Sequence, residues 1–230
     1  QVRNRGLSSQ NLKNCIAKSE EQDCDLTILW SDQYDFYRKL GFELAGYEYS
    51  YQISQALPIQ ESNAKFIKGT KIDPSAILKL YNQHTVNSVR TLEEINQYLN
   101  IPNSNVYTMW SNQNQLLAYA VEGKGVDLQN YIHEWGGSVP HLIDLISHMI
   151  KSESTTYTLI CPRHSFNLRQ KLKSISDLEN DGFLGLIKIN NFDKFSNKIK
   201  KIFSAEGIDN IVLEKNEDQI IFGHKNSLYS

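Results

Sequence analysis

Apolar positions along this chain recur at two different spacings, and the changes of spacing mark out its elements. Leu12, Cys15 and Ile16 recur as on one face of a helix, with polar residues taking over by Lys18. That spacing places Cys15 among core positions. Residues 24–31, CDLTILWS, form a nearly continuous apolar run, the pattern of a strand covered on both faces. In SDQYDFYRKLGF, which overlaps its end, Ser31 or Asp32 can cap a helix start. Phe36, Tyr37 and Leu40 share one face of that helix, and Arg38 and Lys39 suit its negative end. Gly41 is a natural left-handed stop, after which Phe42 can fold back on the last turn. Residues 43–53, ELAGYEYSYQI, alternate as one strand with Tyr47, Tyr49 and Tyr51 on the same side.

The pattern breaks at residues 55–64, QALPIQESNA, which read as a linker and a boundary. Beyond it the order starts again. Residues 65–72 suggest a strand, and Asp73 with Pro74 opens a helix. Thr91 and Glu94 have the spacing of a capping box at the start of another. Strand-like runs follow at 105–111, 115–123 and 127–135, then a helix in which Leu142, Leu145, Ile146 and Met149 share a side. Residues 156–162 read as a strand, 164–172 as a short helix and 182–189 as a strand. An amphipathic helix at 192–203 and short strands at 209–214 and 219–224 close the chain. The order in residues 1–56 matches the back part of the order in 65–190, so an internal repeat with a beheaded first copy is expected.

A chain of 230 residues with 40% hydrophobic and 22% charged residues can bury a substantial core. A net charge of -2 gives no basic footprint, so no nucleic-acid partner is expected. No apolar run is long enough to span a membrane, and the polar, basic start has no signal-peptide core. The three cysteines, Cys15, Cys24 and Cys161, include no CxxC pair; neither a disulfide framework nor a metal site is expected, and a reducing cytoplasm fits best.

Candidate chemistry begins at the first residues, RNRGLSS. A helix start carries unpaired N–H groups and partial positive charge. Gly6 lets backbone approach a ligand, Ser8 and Ser9 add donors, and Arg3 and Arg5 add cationic forks. Together they have the makings of a phosphate or pyrophosphate site, beside the plainer reading of capping chemistry and solvated arginines.

RNRGLS (Arg3 to Ser8) resembles the pyrophosphate loop of the GNAT acyl-CoA N-acyltransferase superfamily, Arg/Gln-x-x-Gly-x-Gly/Ala, with Ser8 in place of the last small residue. FYRKLGF (Phe36 to Phe42) is similar to the family's Phe-Tyr-x-x-x-Gly-Phe. The resemblance implies an α/β (α+β) fold, with a mixed, mostly antiparallel sheet flanked by helices, in two GNAT-like units. It implies an acyl-CoA-dependent N-acyltransferase that moves an acetyl group from acetyl-CoA, as co-substrate, to a primary amine of a small molecule or peptide. Carried over, Arg3, Arg5, Gly6, Leu7, Ser8 and Ser9 bind the pyrophosphate, Tyr37 serves the departing thiolate, and Asp32 and Tyr34 contact the CoA chain. A catalytically silent CoA-binding or protein-interaction scaffold is the alternative.

The boundaries expected on this reading are 1–56 for the C-terminal part of a GNAT unit, 57–191 for a second, degenerate unit, and 192–230 for an extension. The family places strands and helices before the loop, and Gln1 is no initiator, so the front of the first unit is expected to be absent. In the second half, HEWGG fails the HExxH zinc pattern at Gly137, and His133 and Glu134 should face opposite sides of a strand. His141 and His148 share a helix face without a third ligand.

Overall fold

Strand and helix alternate from the start of the described chain, which in this computed structural model comprises residues 6–61, 63–217, 219–224 and 227–229. Arg3 and Arg5 lie outside these residues. In chain order the elements are α1 (Leu7–Glu21), β1 (Leu26–Leu29), α2 (Tyr34–Arg38), β2 (Glu43–Ala45), β3 (Glu48–Ile53), β4 (Lys65–Lys68), α3 (Pro74–Tyr81), α4 (Leu92–Leu99), β5 (Asn105–Trp110), β6 (Leu116–Lys124) and β7 (Asp127–Gly137). They continue with α5 (Val139–Glu153), β8 (Tyr157–Pro162), α6 (Phe166–Lys173), β9 (Leu178–Gly182), β10 (Gly185–Ile189), α7 (Phe192–Ala205), β11 (Ile211–Asn216), β12 (Gln219–His224) and β13 (Ser227–Tyr229).

The chain divides into two units, one from 1–46 and 183–230, the other from 47–182. These bounds differ from the expected breaks at 56 and 191, and the cause is local. ELAGYEYSYQI is two strands, not one. Gly46, at φ +72, turns the chain between them, and a Cβ there would meet the Leu184 side chain at 2.7 Å. β2 then stays in the first unit while β3 enters the sheet of the second. The segment around Pro58 is likewise part of the second unit. Its amides at Gln60 and Glu61 donate to the buried Asp144 carboxylate, and the Leu57 amide donates to Ser147.

The second unit is built on a seven-stranded sheet in the order β4-β5-β6-β7-β8-β3-β9. Its pairs are antiparallel except β7 with β8, which α5 joins as a crossover. Alternation puts Tyr107, Met109, Ala118 and Ala120 on the face that packs against Leu142, Leu145, Ile146 and Met149 of α5. Val106, Tyr119 and Val121 point to the other face, against Ile77 and Leu80 of α3 and Ile95 and Leu99 of α4. Both helix starts carry the expected caps: Asp73 accepts from the Ser75 amide, and Thr91 and Glu94 form a reciprocal capping box.

In the first unit β10 lies between β1 and β2, antiparallel to both, and β11-β12-β13 form a separate three-stranded sheet beside α7. Ile16, Phe42 and Leu186 form the centre of a small core with Leu12, Leu29, Tyr37, Leu40 and Leu44 around it. Two expectations fail here. Cys15 is exposed, because α1 turns Leu12 and Ile16 to that core and leaves Cys15 off that face. β1 is covered on one face only among the described residues, leaving Leu26, Ile28 and Trp30 outward.

The two units share a pattern. α1-β1-α2-β2 with β10 inserted repeats as α5-β8-α6-β9 with β3 inserted. The same shift carries Leu7 to Val139 at the start of the long helices and Tyr34 to Phe166 at the start of the short ones. No helix among the described residues is long and apolar enough to cross a membrane.

Candidate functional site

Gly6 stands at the N-cap of α1 with φ +69, the left-handed conformation that glycine adopts without strain. Its carbonyl accepts the Gln10 amide, closing the first helical turn. No side chain caps this end, so among the described residues the first-turn N–H groups, those of Leu7, Ser8 and Ser9, point out of the helix without partners. No acidic residue in that turn competes for them. The macrodipole of a 15-residue helix adds its partial positive charge at this end. The arrangement can hold an anion, as the spacing of Gly6, Ser8 and Ser9 suggests.

The matching helix of the second unit is closed to such a ligand by its own residues. By the repeat, Ser138 falls where Gly6 stands. Its Oγ accepts the His141 amide, and Pro140 removes another donor from the first turn.

Tyr37 lies on α2, which has five residues and ends at Arg38, three residues before the left-handed Gly41, φ +84. Its ring is edge-on to Phe36 and Phe42, with centroids 5.0 and 6.0 Å away, and packs against the core that Ile16 of α1 shares. Phe42 is fully buried, as the fold-back after Gly41 predicts. The Tyr37 hydroxyl makes no hydrogen bond to a described residue, so a phenolic donor on this helix remains available. Asp32 is exposed in the turn before α2, and Tyr34, also exposed, opens that helix. Neither Ser31 nor Asp32 caps α2. Its N-cap is Gln33, whose amide is taken by Ser31 Oγ. In the second unit the repeat puts Arg169 where Tyr37 stands, its guanidinium 3.6 Å from the centre of the Tyr49 ring.

His133 and Glu134 do not follow the expected alternation. Val121 pairs with Glu134 and Glu122 pairs with Ile132, so His133 is an extra residue in β7. This bulge brings both side chains to one cavity. No residue pattern in the sequence marks it. Glu134 accepts from Arg90 at 2.8 Å, and His133 Nε2 bonds the Gly123 carbonyl at 3.0 Å. His141 Nδ1 meets Ser138 Oγ, and His148 stacks on Phe66 at 4.1 Å. No group of metal-ligating side chains that could hold an ion occurs among the described residues.

Mixed pairing, a helical crossover between parallel β7 and β8, and helices on both faces define the fold of the GCN5-related N-acetyltransferases. The chain matches a GCN5-related N-acetyltransferase from Anabaena variabilis at TM-score 0.60 and 15% identity, over 98% of this chain and 63% of that one. It matches a conserved protein from Enterococcus faecalis, described as a probable N-acyltransferase, at TM-score 0.57 and 14% identity, over 84% of this chain and 52% of that one. A GCN5-related N-acetyltransferase from Kribbella flavida matches at 0.54 and 15%, over 80% and 48%. The chain thus spans roughly half to three fifths of these proteins. No protein-family model and no curated protein matches its sequence.

Proposed function

We propose that the chain is the CoA-binding part of an acyl-CoA-dependent N-acyltransferase, which transfers an acetyl group from acetyl-CoA to a primary amine of a small molecule or peptide. The observation that carries this reading is the bare front of α1 behind a left-handed Gly6, set against the capped and proline-bearing front of α5. On this reading the amides of Gly6, Leu7, Ser8 and Ser9 hold the pyrophosphate, and Arg3 and Arg5 contribute positive charge to its binding. Asp32 and Tyr34 lie along the CoA chain. The second unit has neither the open helix front nor the phenol of the first, and is a degenerate copy.

The reaction is a direct displacement. The amine lone pair attacks the thioester carbonyl, a C–N bond forms, and the C–S bond breaks with its electron pair on sulfur. Tyr37 gives that sulfur a proton and regains one from solvent, while the amine nitrogen sheds its extra proton. The enzyme contributes alignment and stabilisation of charge on the leaving sulfur.

Titration calorimetry with acetyl-CoA and a thiol-release assay against a panel of amines test the reading. Saturable binding of one acetyl-CoA per chain with amine-dependent thiol release is expected, and a chain that binds no acetyl-CoA refutes it. Tyr37→Phe is expected to lower turnover about 100-fold with CoA affinity unchanged. Unaltered turnover in that variant would leave Tyr37 as a core residue.

A further inference from the structure

The second unit contains a cavity of about 260 Å³ between α3, α4 and the sheet strands β6 and β7. It is just smaller than the ~300 Å³ at which ligand sites usually begin, so a compact occupant fits it. Its apolar wall is formed by Ile77, Ile95, Leu99, Ile101 and Val121. The rest of the lining is Tyr98 with the polar groups of Arg90, Lys124, His133 and Glu134.

Arg90 is held with care. Its guanidinium lies 4.1 Å from the centre of the Tyr81 ring and 4.6 Å from that of Tyr98. Tyr81 is fixed in turn by its hydroxyl, which meets Ser88 Oγ at 2.8 Å. Arg90 spends one N–H, on Nη1, on Glu134, and the pair is largely buried, with side chains 16% and 18% exposed. The rest of its five donors find no hydrogen-bond partner among the described residues. Glu134 is the better satisfied partner, since its second oxygen also faces the Tyr119 hydroxyl at 3.5 Å. Lys124 makes no ion pair among the described residues. Burial lowers the pKa of His133, so at neutral pH it adds no charge. The cavity therefore has one positive charge and several N–H donors in excess, within a lining that is half hydrocarbon.

We propose that this cavity binds a short-chain monocarboxylate, its carboxylate on Arg90 and Lys124 and its tail along Ile95, Leu99 and Ile101. A phosphate or dianion would waste the apolar wall, and an amine would meet Arg90 and Lys124 head-on. The bulge at His133 is what makes the site, because regular alternation would turn either His133 or Glu134 away. The proposal is independent of acyl transfer in the first unit.

Titration calorimetry of the full chain with butanoate, hexanoate, octanoate and hexan-1-ol tests it. One-site binding is expected, tighter by about fourfold for each methylene added until the wall is filled. Hexan-1-ol should bind at least tenfold more weakly than hexanoate. Lys124→Met, at an exposed rim position, should weaken hexanoate severalfold. Arg90→Met combined with Glu134→Gln, which strands no charge, should abolish saturable binding. If that double variant does not fold, the alcohol and Lys124→Met decide. Absence of saturable carboxylate binding, equal affinity for the alcohol, or hexanoate affinity unchanged in the folded variants overturns the proposal.

Discussion

Gly6 and Ser138 occupy matching places, and the difference of one side chain separates an open helix front from a closed one. A Cβ at Gly6 would meet no described residue within 4 Å, so among the described residues only the backbone conformation resists replacement. Gly6→Val puts a β-branched residue at a left-handed position, at a cost of about 1–2 kcal/mol. The expected outcome is an acetyl-CoA affinity at least tenfold lower in calorimetry, with a thermal midpoint lowered by only a few degrees. Equal affinity would detach the loop from CoA binding. Asp144 is a different kind of residue. Its buried carboxylate takes the amides of Gln60 and Glu61, and Asp144→Ala strands both. A loss of roughly 2–3 kcal/mol in denaturant unfolding is expected, together with faster amide exchange at Gln60 and Glu61. Cys161 is buried and its thiol is pushed up to about 12, chiefly by desolvation, so it stays protonated. Alkylation of the native chain near pH 8 should label exposed Cys15 and Cys24 and spare Cys161 until denaturant is added, as read by mass spectrometry. His133 adds a pH dependence. Burial depresses its pKa, so the folded chain holds fewer protons than the unfolded one once pH falls below about 6.5. Stability should therefore decline as pH drops from about 6.5 toward the depressed value, and His133→Gln should flatten that decline in denaturant melts.

Elements with strong punctuation were legible in the sequence. Asp73-Pro74 and Thr91…Glu94 mark helix starts by local hydrogen bonding, and the caps form as read. Thr91→Ala should accordingly cost about 1 kcal/mol, measured as a shift of the denaturation midpoint. Leu142, Leu145, Ile146 and Met149 of α5 bury together because a long amphipathic period tolerates little else. What stayed hidden depends on partners far along the chain. Gly46 sits in an unbroken alternation, and only the approach of Leu184 reveals that the backbone turns there. β9, LENDG, is too polar to announce itself; it becomes a strand because β3 offers it a ladder. The bulge at His133 is equally silent, since a register shift against β6 leaves the residue types unchanged. In the candidate site, the local residue types at Gly6, Ser8 and Ser9 suggested an anion site, whereas Tyr37 was singled out only by the resemblance, since its spacing alone reads as core. The difference between the two helix fronts emerged only when the repeat could be laid over itself.

For the molecule as a whole, the exchange of β3 and β10 decides which pieces can stand alone. All seven strands of the second sheet lie within 47–182, together with the helices that cover both its faces. A fragment of those residues is expected to unfold cooperatively and to give a dispersed amide NMR spectrum. A fragment of 57–191 lacks β3, and with it the fully buried Tyr51 and Ile53, and should not fold. Equal behaviour of the two fragments would mean that β3 contributes little to that sheet.

The position of β10 also sets an order of events at the ribosome. β1 and β2 emerge early, but the strand that joins them is not made until residue 189. At 5–20 residues per second the nascent chain waits about 10–30 s with those two strands unjoined. The later half can meanwhile complete its own sheet as soon as Gly182 clears the exit tunnel. The unit that holds β1 and β2 thus closes after the other, and its apolar strands are the stretch a chaperone would meet.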